Sequence, residues 1–287
     1  MPGTSGARPL PRAALVPVLT ASLSLAGCAV TPSPTTSTTS SSPTVGASTP
    51  APSPSAPGGD RSDRPLEGVV VALDPGHNAD NATSPETREL VDAGGGLEKP
   101  CNSTGAVAAD GERESAHTWA VAVALADALA ELGATTPMTR DADAGWGPCV
   151  DARGRFGAEQ DADLTVSIHA DGAGADGRDR GFHVIRPGAL EGWTDDVVDD
   201  SADLAVALRD ALVDAGFEPS TYRGVDGIDV RSDLGTLNWS DVPVVVVETH
   251  NMHHPVEGPA MRTREVQQRL ADALADGVTA YVTARGD

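Results

Sequence analysis

Hydrophobic positions along the chain fall into two periods, and their alternation predicts the fold. Gly68-Val69-Val70-Val71-Ala72-Leu73-Asp74 is a near-continuous apolar run ending in Asp-Pro-Gly. That is the pattern of a strand buried on both faces and stopped by a turn. Residues 164–169, 182–185 and 242–248 read the same way, and 135–139 as a shorter strand. In the first helix, predicted over 114–132, Val121, Leu125, Leu129 and Leu132 recur at helical spacing and Gly133 supplies the stop. Further helices are predicted at 150–160, 199–215 and 264–280. Strands alternating with helices imply a single α/β domain with a central, mostly parallel sheet flanked by helices on both faces. Residues 78–113 carry no period and are rich in Gly, Asp, Asn and Pro, so they read as one long loop.

The start of the chain is of another kind. Arg8 and Arg12 precede an apolar run from Ala13 to Ala26, and small residues follow, so residues 1–27 read as an export signal. The run is too short, and too broken by Pro17 and Ser22, to span a bilayer as a mature helix. It ends in Leu25-Ala26-Gly27-Cys28, which resembles the lipobox of bacterial lipoproteins. That resemblance implies cleavage before Cys28 and acylation of its thiol. The alternative is an ordinary signal peptide with a chance cysteine. The stretch to residue 65 is almost all Pro, Ser, Thr and Gly. It holds too little apolar surface to offset its ordering entropy and reads as a disordered tether, so residues 28–65 lead to a folded domain over 66–287.

Charge and cysteines narrow the classes. The formal charge is −22, and losing Arg8 and Arg12 with the leader makes it −24 (−22 − 2). Phosphate backbones repel such a domain, which excludes nucleic acid as a partner. Anionic lipid headgroups repel it too, so membrane attachment depends on a lipid at Cys28. With Cys28 set aside, Cys101 and Cys149 are an even pair in an exported chain. A disulfide between them would add roughly 4 kcal/mol by the chain-entropy account. Free thiols or a structural zinc site are the alternatives, and the absence of a CxxC spacing speaks against zinc.

Chemistry collects at the carboxyl ends of the predicted strands, the edge where open α/β sheets bind ligands. His77 follows the first strand, His169 ends the central one and Glu248 ends the last, while Glu114 opens the long helix. Two imidazoles and a carboxylate are the ligand set of many catalytic zinc sites, and a further carboxylate serves as a base. Each residue alone has a plainer role, as turn decoration, helix-start charge, core histidine or ion-pair partner. Their joint placement at one sheet edge is what singles them out.

The segments Leu73-Asp74-Pro75-Gly76-His77, Ser167-Ile168-His169-Ala170-Asp171 and Val246-Val247-Glu248-Thr249, with Met138-Thr139-Arg140 and Asp163-Leu164 between, stand in one order over most of the domain. Together they resemble the signature segments of the zinc-dependent N-acetylmuramoyl-L-alanine amidases of the amidase 3 type. The resemblance implies one Zn2+ held by His77, Glu114 and His169, and Glu248 as the catalytic base. Glu112, two residues before Glu114, is the alternative carboxylate. The implied substrate is peptidoglycan or muropeptides, cut between N-acetylmuramic acid and L-alanine. An exported enzyme of this kind would sit in the cell-wall space, lipid-anchored on the outer face of the cytoplasmic membrane, with or without a protein activator.

Other residues are open to two readings. Arg140, Arg231 and Asn251 are candidates for binding the acidic stem peptide, and the arginines equally for pairing with the many carboxylates. His117 reads as a partly exposed helix histidine or a group supporting the metal site. His250, His253 and His254 read as loop residues or as contacts to substrate or a second metal. In some family members a segment equivalent to 78–113 covers the zinc site; here it could equally be a plain substrate-facing loop. Two rival functions remain at this stage: a zinc peptidase acting on the stem peptide, and a non-catalytic wall-binding or regulatory lipoprotein.

Overall fold

The structure, a computed structural model, describes residues 64–174 and 177–286. The leader, Cys28 and the tether up to residue 63 lie outside the described residues. Among the described residues, seven strands and six α-helices follow one another as β1 (Val71–Pro75), β2 (Leu90–Asp92), β3 (Glu98–Pro100), α1 (Glu114–Glu131), α2 (Val150–Glu159), β4 (Leu164–Asp171), β5 (His183–Pro187), α3 (Val198–Asp214), β6 (Ile228–Arg231), α4 (Gly235–Asn238), β7 (Val244–Asn251), α5 (Glu257–Met261) and α6 (Arg264–Gly286).

The central sheet has the order β1-β4-β7-β5-β6. The ladders β1–β4, β4–β7 and β5–β6 are parallel, and β5–β7 is antiparallel. The sheet is therefore mostly parallel by ladder, but β5 and β6 both run against the other three strands. The connection from β4 to β5 explains this. Its described residues contain no helix, and a parallel return needs a long crossover, usually helical. The expected strand at 135–139 is reduced to two isolated bridges beside β1, Val70 to Thr135 and Leu73 to Met138.

The pleat sorts each strand into two faces. Leu164, Val166 and Ile168 of β4, with Val245 and Val247 of β7, join the large core under α1, α3 and α6. Leu125, Leu129, Leu204, Leu208, Leu270 and Leu274 fill that core from the helices. Val244 and Val246 of β7 face the other way, toward Leu237 of α4 and Ile185. The same alternation turns Asp74, Ser167, His169 and Glu248 to this second side, the one covered by α2 and α4.

α2 is held against this side by a buried charge. Asp74 is fully buried and ion-paired with Arg153 of α2. It also accepts hydrogen bonds from Ser167 Oγ and Thr139 Oγ1, each at 2.6 Å. Arg153 donates further to the carbonyl of Pro75 at 3.0 Å and to Asn78 Oδ1 at 2.8 Å, so one guanidinium fixes the turn after β1. Gly157 allows the close approach: a Cβ there would lie 2.3 Å from Thr165 Oγ1.

The 78–113 segment is more ordered than its lack of period predicts. It carries the two-stranded antiparallel β2–β3 hairpin, whose three-residue strands are mostly exposed and leave little trace in the pattern. Cys101 just after it is disulfide-bonded to Cys149, the residue capping the start of α2, across a sequence separation of 48. Closing a loop of that size stabilises the fold by about 4 kcal/mol in the chain-entropy account.

Burial would raise the pKa of Asp74, but Arg153, Ser167 and Thr139 outweigh it and hold the group at about 2, below the ordinary 3.8. A depressed carboxylate contributes stability above its unfolded pKa and loses it as pH falls through the folded value. Unfolding titrations in denaturant should therefore show stability dropping between about pH 4 and pH 2. Asp74→Asn should lose that part of the slope. At neutral pH it should be destabilised by about 3–5 kcal/mol, because Arg153 is left buried without its counter-charge. An unchanged acid slope in the variant would refute this assignment.

Candidate active site

Four elements bring the site together at the carboxyl edge of β1, β4 and β7. β1 stops at Pro75, and His77 takes a left-handed backbone conformation with φ +58°, which turns the chain sharply out of the sheet. His169 and Glu248 are direct partners across the β4–β7 ladder, so the pleat sets them side by side. Glu114 is the first residue of α1, where the helix dipole favours a negative charge.

The ligand-type atoms of His77, Glu114 and His169 all lie within 4.8 Å of one another. Glu114 Oε1 is 3.2 Å from His77 Nε2 and 2.9 Å from His169 Nδ1. The carboxylate is 4% exposed and is fixed by two backbone donors, Ala170 N–H to Oε1 at 3.0 Å and Ala106 N–H to Oε2 at 2.7 Å. His77 Nδ1 lies 3.0 Å from the carbonyl oxygen of Ser103. That oxygen only accepts, so Nδ1 carries the hydrogen and Nε2 turns its lone pair to the carboxylate. The same carbonyl accepts from Asn81 Nδ2 at 2.7 Å, which holds it in place. A lone pair facing a carboxylate oxygen is repulsive unless a cation or proton stands between them. The donor set therefore fits a metal ion.

Close packing fixes the second histidine. A Cβ on Gly76 would lie 2.3–2.7 Å from three ring atoms of His169, so only glycine leaves the imidazole its place. The charges are strongly coupled. Burial pushes the Glu114 carboxyl up, but the two imidazoles outweigh it and hold it well below its usual range. Burial lowers His77, and Glu114 more than offsets this, so its pKa is raised. Glu248 is pushed well above its usual range, first by burial and then by the negative charges of Glu114 and Asp171. Its Oε2 is buried and has no hydrogen-bond partner.

All four residues line one cavity of about 790 Å³. Lys99 and Pro100 of β3, Arg231 at the end of β6 and Asp233 just beyond it line it as well. Arg231 is thus at the cavity, as a substrate contact must be, with its Nε and Nη2 each 2.8 Å from Asp233. The other two substrate-binding candidates are not available. Arg140 is 7% exposed and donates to the backbone carbonyls of Pro75, Ser115 and Ala142, so it ties β1 to α1. Asn251 is fully buried, and its Nδ2 donates to the carbonyls of Ala173 and Asp179. Both side chains look like ligand hooks in sequence and serve as backbone fasteners in the fold.

The structure brings Glu114 rather than Glu112 to the two histidines. His117 is 1% exposed, against the expectation of a partly exposed helix residue. His250 is equally buried and does not line the cavity, whereas His253 does. His254 Nδ1 accepts from the backbone N–H of Glu257 at the start of α5. Sequence reasoning missed Ser103, Asn81 and Arg153, whose roles run through backbone carbonyls and a turn. For Ser103 the nearest signal is Cys101, two residues away.

Comparison with known proteins follows the same lines. Residues 71–280 match the N-acetylmuramoyl-L-alanine amidase family of the amidase 3 type. The chain is 35% identical over 225 residues to the N-acetylmuramoyl-L-alanine amidase Rv3717 of Mycobacterium tuberculosis, covering 77% of this chain and 89% of that protein. The crystal structure of the N-acetylmuramyl-L-alanine amidase Ami1 from Mycobacterium smegmatis superposes with a TM-score of 0.71 at 35% identity, over 76% of this chain and 99% of that one. Ami1 from Mycobacterium abscessus gives a TM-score of 0.68 at 35% identity, over 75% of this chain and 99% of that one. With the family matched over 71–280 and these relatives covered nearly end to end, the chain belongs to the N-acetylmuramoyl-L-alanine amidases of the amidase 3 family.

Proposed function

We propose that the chain hydrolyses the amide joining the lactyl group of N-acetylmuramic acid to L-alanine in peptidoglycan, with zinc held by His77, Glu114 and His169 and with Glu248 as the base. The observation that carries this reading is the meeting of three ligand-type atoms within 4.8 Å beside a carboxyl whose buried Oε2 has no partner. Nitrogen and carboxylate donors in this number suit zinc. Zinc in such a site supplies Lewis acidity toward the scissile carbonyl and makes water acidic enough to attack at neutral pH.

The chain's own residues do the rest. Glu248 takes a proton from the attacking water and delivers it to the nitrogen of L-alanine as the carbon–nitrogen bond breaks. Its buried, raised carboxyl suits it to hold a proton between those two steps. Glu114 is held by the backbone N–H groups of Ala106 and Ala170, so the ligand carboxylate stays in place through the cycle. Farther along the cavity, Arg231 has Nη1 left over after Asp233 takes Nε and Nη2, and it suits a carboxylate of the acidic stem peptide.

Location rests on the sequence. Among the described residues no helix is long and apolar enough to cross a membrane. A lipid on Cys28, with residues 28–65 between it and the domain, would hold the enzyme outside the cytoplasmic membrane within reach of the wall.

Two tests follow. Glu248→Gln should keep its metal and its fold while losing roughly 10²–10⁴-fold in kcat on purified muropeptides. Mass spectrometry of the wild-type digest should show a freed lactyl carboxylate and a new L-alanine amino terminus; cleavage between amino acids would instead favour the peptidase reading. For Arg231→Gln, KM should rise roughly ten- to hundredfold on stems with a free carboxylate, with kcat little changed. An equal loss on stems whose carboxylates are amidated would remove Arg231 from substrate recognition.

A further inference from the structure

Beneath His169, outside the cavity lining, lies a buried polar cluster that the chemistry above does not use. It consists of His117 on α1 with Thr249 and His250 on β7, each 1% exposed. Thr249 Oγ1 is 3.0 Å from the carbonyl oxygen of His169, which only accepts, so the single hydroxyl hydrogen goes there. His117 Nε2 and His250 Nδ1 each lie 3.0 Å from the same Oγ1. With the hydrogen committed, the hydroxyl accepts from both, and each of those ring nitrogens carries a hydrogen. The rings also meet edge to face, with centroids 4.7 Å apart. Burial keeps both imidazoles neutral, pushing His117 down to about 4 and His250 well below its usual value.

Such a cluster is costly as packing alone. It buries two imidazoles and a hydroxyl, and His117 Nδ1 is left without a partner. α1 does not need it to stay on the sheet, since Val121, Leu125 and Leu129 already anchor that helix in the core. The cluster instead meets at the crossing of the three elements that carry the site. α1 opens with Glu114 one turn before His117, β4 contributes the carbonyl of His169 itself, and Glu248 immediately precedes Thr249. A satisfied hydroxyl with one donor and two acceptor directions fixes three elements at once, in a way an apolar contact does not.

We infer that His117, Thr249 and His250 form a positioning lock that sets the relative placement of Glu114, His169 and Glu248, and through it the metal affinity of the site. The inference rests on the metal-site reading above. The hydroxyl is the centre of the lock, so Thr249 is the residue to change. Thr249→Val keeps the shape and removes the hydroxyl, whereas Thr249→Ser keeps the hydroxyl and removes the methyl.

The experiment measures zinc affinity of the purified chain by competition with a chromophoric chelator, alongside thermal unfolding of the metal-free forms. Thr249→Val should bind zinc roughly 10–100-fold more weakly, and Thr249→Ser should stay within about threefold of wild type. Thr249→Val with wild-type zinc affinity and only a lowered Tm would reduce the cluster to packing and overturn the proposal. Equal weakening by Val and Ser would do the same, since the methyl would then be what matters. Should Thr249→Val fail to fold, His250→Phe keeps a ring pair and removes one donor. Weaker zinc binding supports the lock, and unchanged binding overturns it. Failure of the underlying reading shows separately, as a wild-type chain that takes up no zinc.

Discussion

The site is organised by one buried carboxylate set between two imidazoles. Glu114 faces His77 and His169 at 3.2 and 2.9 Å in a place almost closed to water. A charge there is tolerable only if every lone pair has a partner. Backbone N–H groups of Ala106 and Ala170 supply two, and the imidazole edges leave room for a cation to supply the rest. Much of the surrounding architecture follows from that requirement. Gly76 has no side chain because the His169 ring lies against it, and the Ser103 carbonyl is pinned by Asn81 so that it can orient His77. Gly105 also comes close, and a Cβ there would lie 2.9 Å from Glu114 Oε2.

The second charge system lies just behind the first and has a different task. Asp74 and Arg153 close the turn between β1 and His77, so α2 holds the loop that presents one ligand. The disulfide enters at the cap of the same helix and reaches back to Cys101, two residues from Ser103. Stability and site geometry are thus carried by the same few contacts. In a chain of net charge −22, the cations near the cavity stand out: Lys99 and Arg231 share Asp233, at 3.1 and 2.8 Å. Among these three side chains, two cations to one carboxylate, one positive charge is left over.

How much of this was legible in the sequence depends on the kind of interaction. The strands ending at Asp74, His169 and Glu248 are visible because buried runs stop at polar residues, and the α1 stripe is visible because its period is unbroken. Strand direction is not visible in a run of valines, so the sequence left the direction of β5 open, and the four-residue, half-buried β6 was not foreseen at all. The β2–β3 hairpin has too few residues and too much exposure to leave a pattern. Arg140 and Asn251 are hard to read for one reason: sequence shows a hydrogen-bonding group but not whether a backbone carbonyl already uses it. His117 was more legible than its reading allowed. It stands four residues before Val121 and eight before Leu125, on the apolar stripe of α1, and the burial it shows is what that spacing implies.

The most direct test of the account measures metal content and hydrolysis together on the purified chain. If His77, Glu114 and His169 hold the metal as proposed, the protein should carry about one zinc per chain. Release of stem peptides from muropeptides should stop when a chelator removes the metal and return when zinc is restored. Full hydrolysis by metal-free protein, or a purified chain that binds no metal, would contradict it.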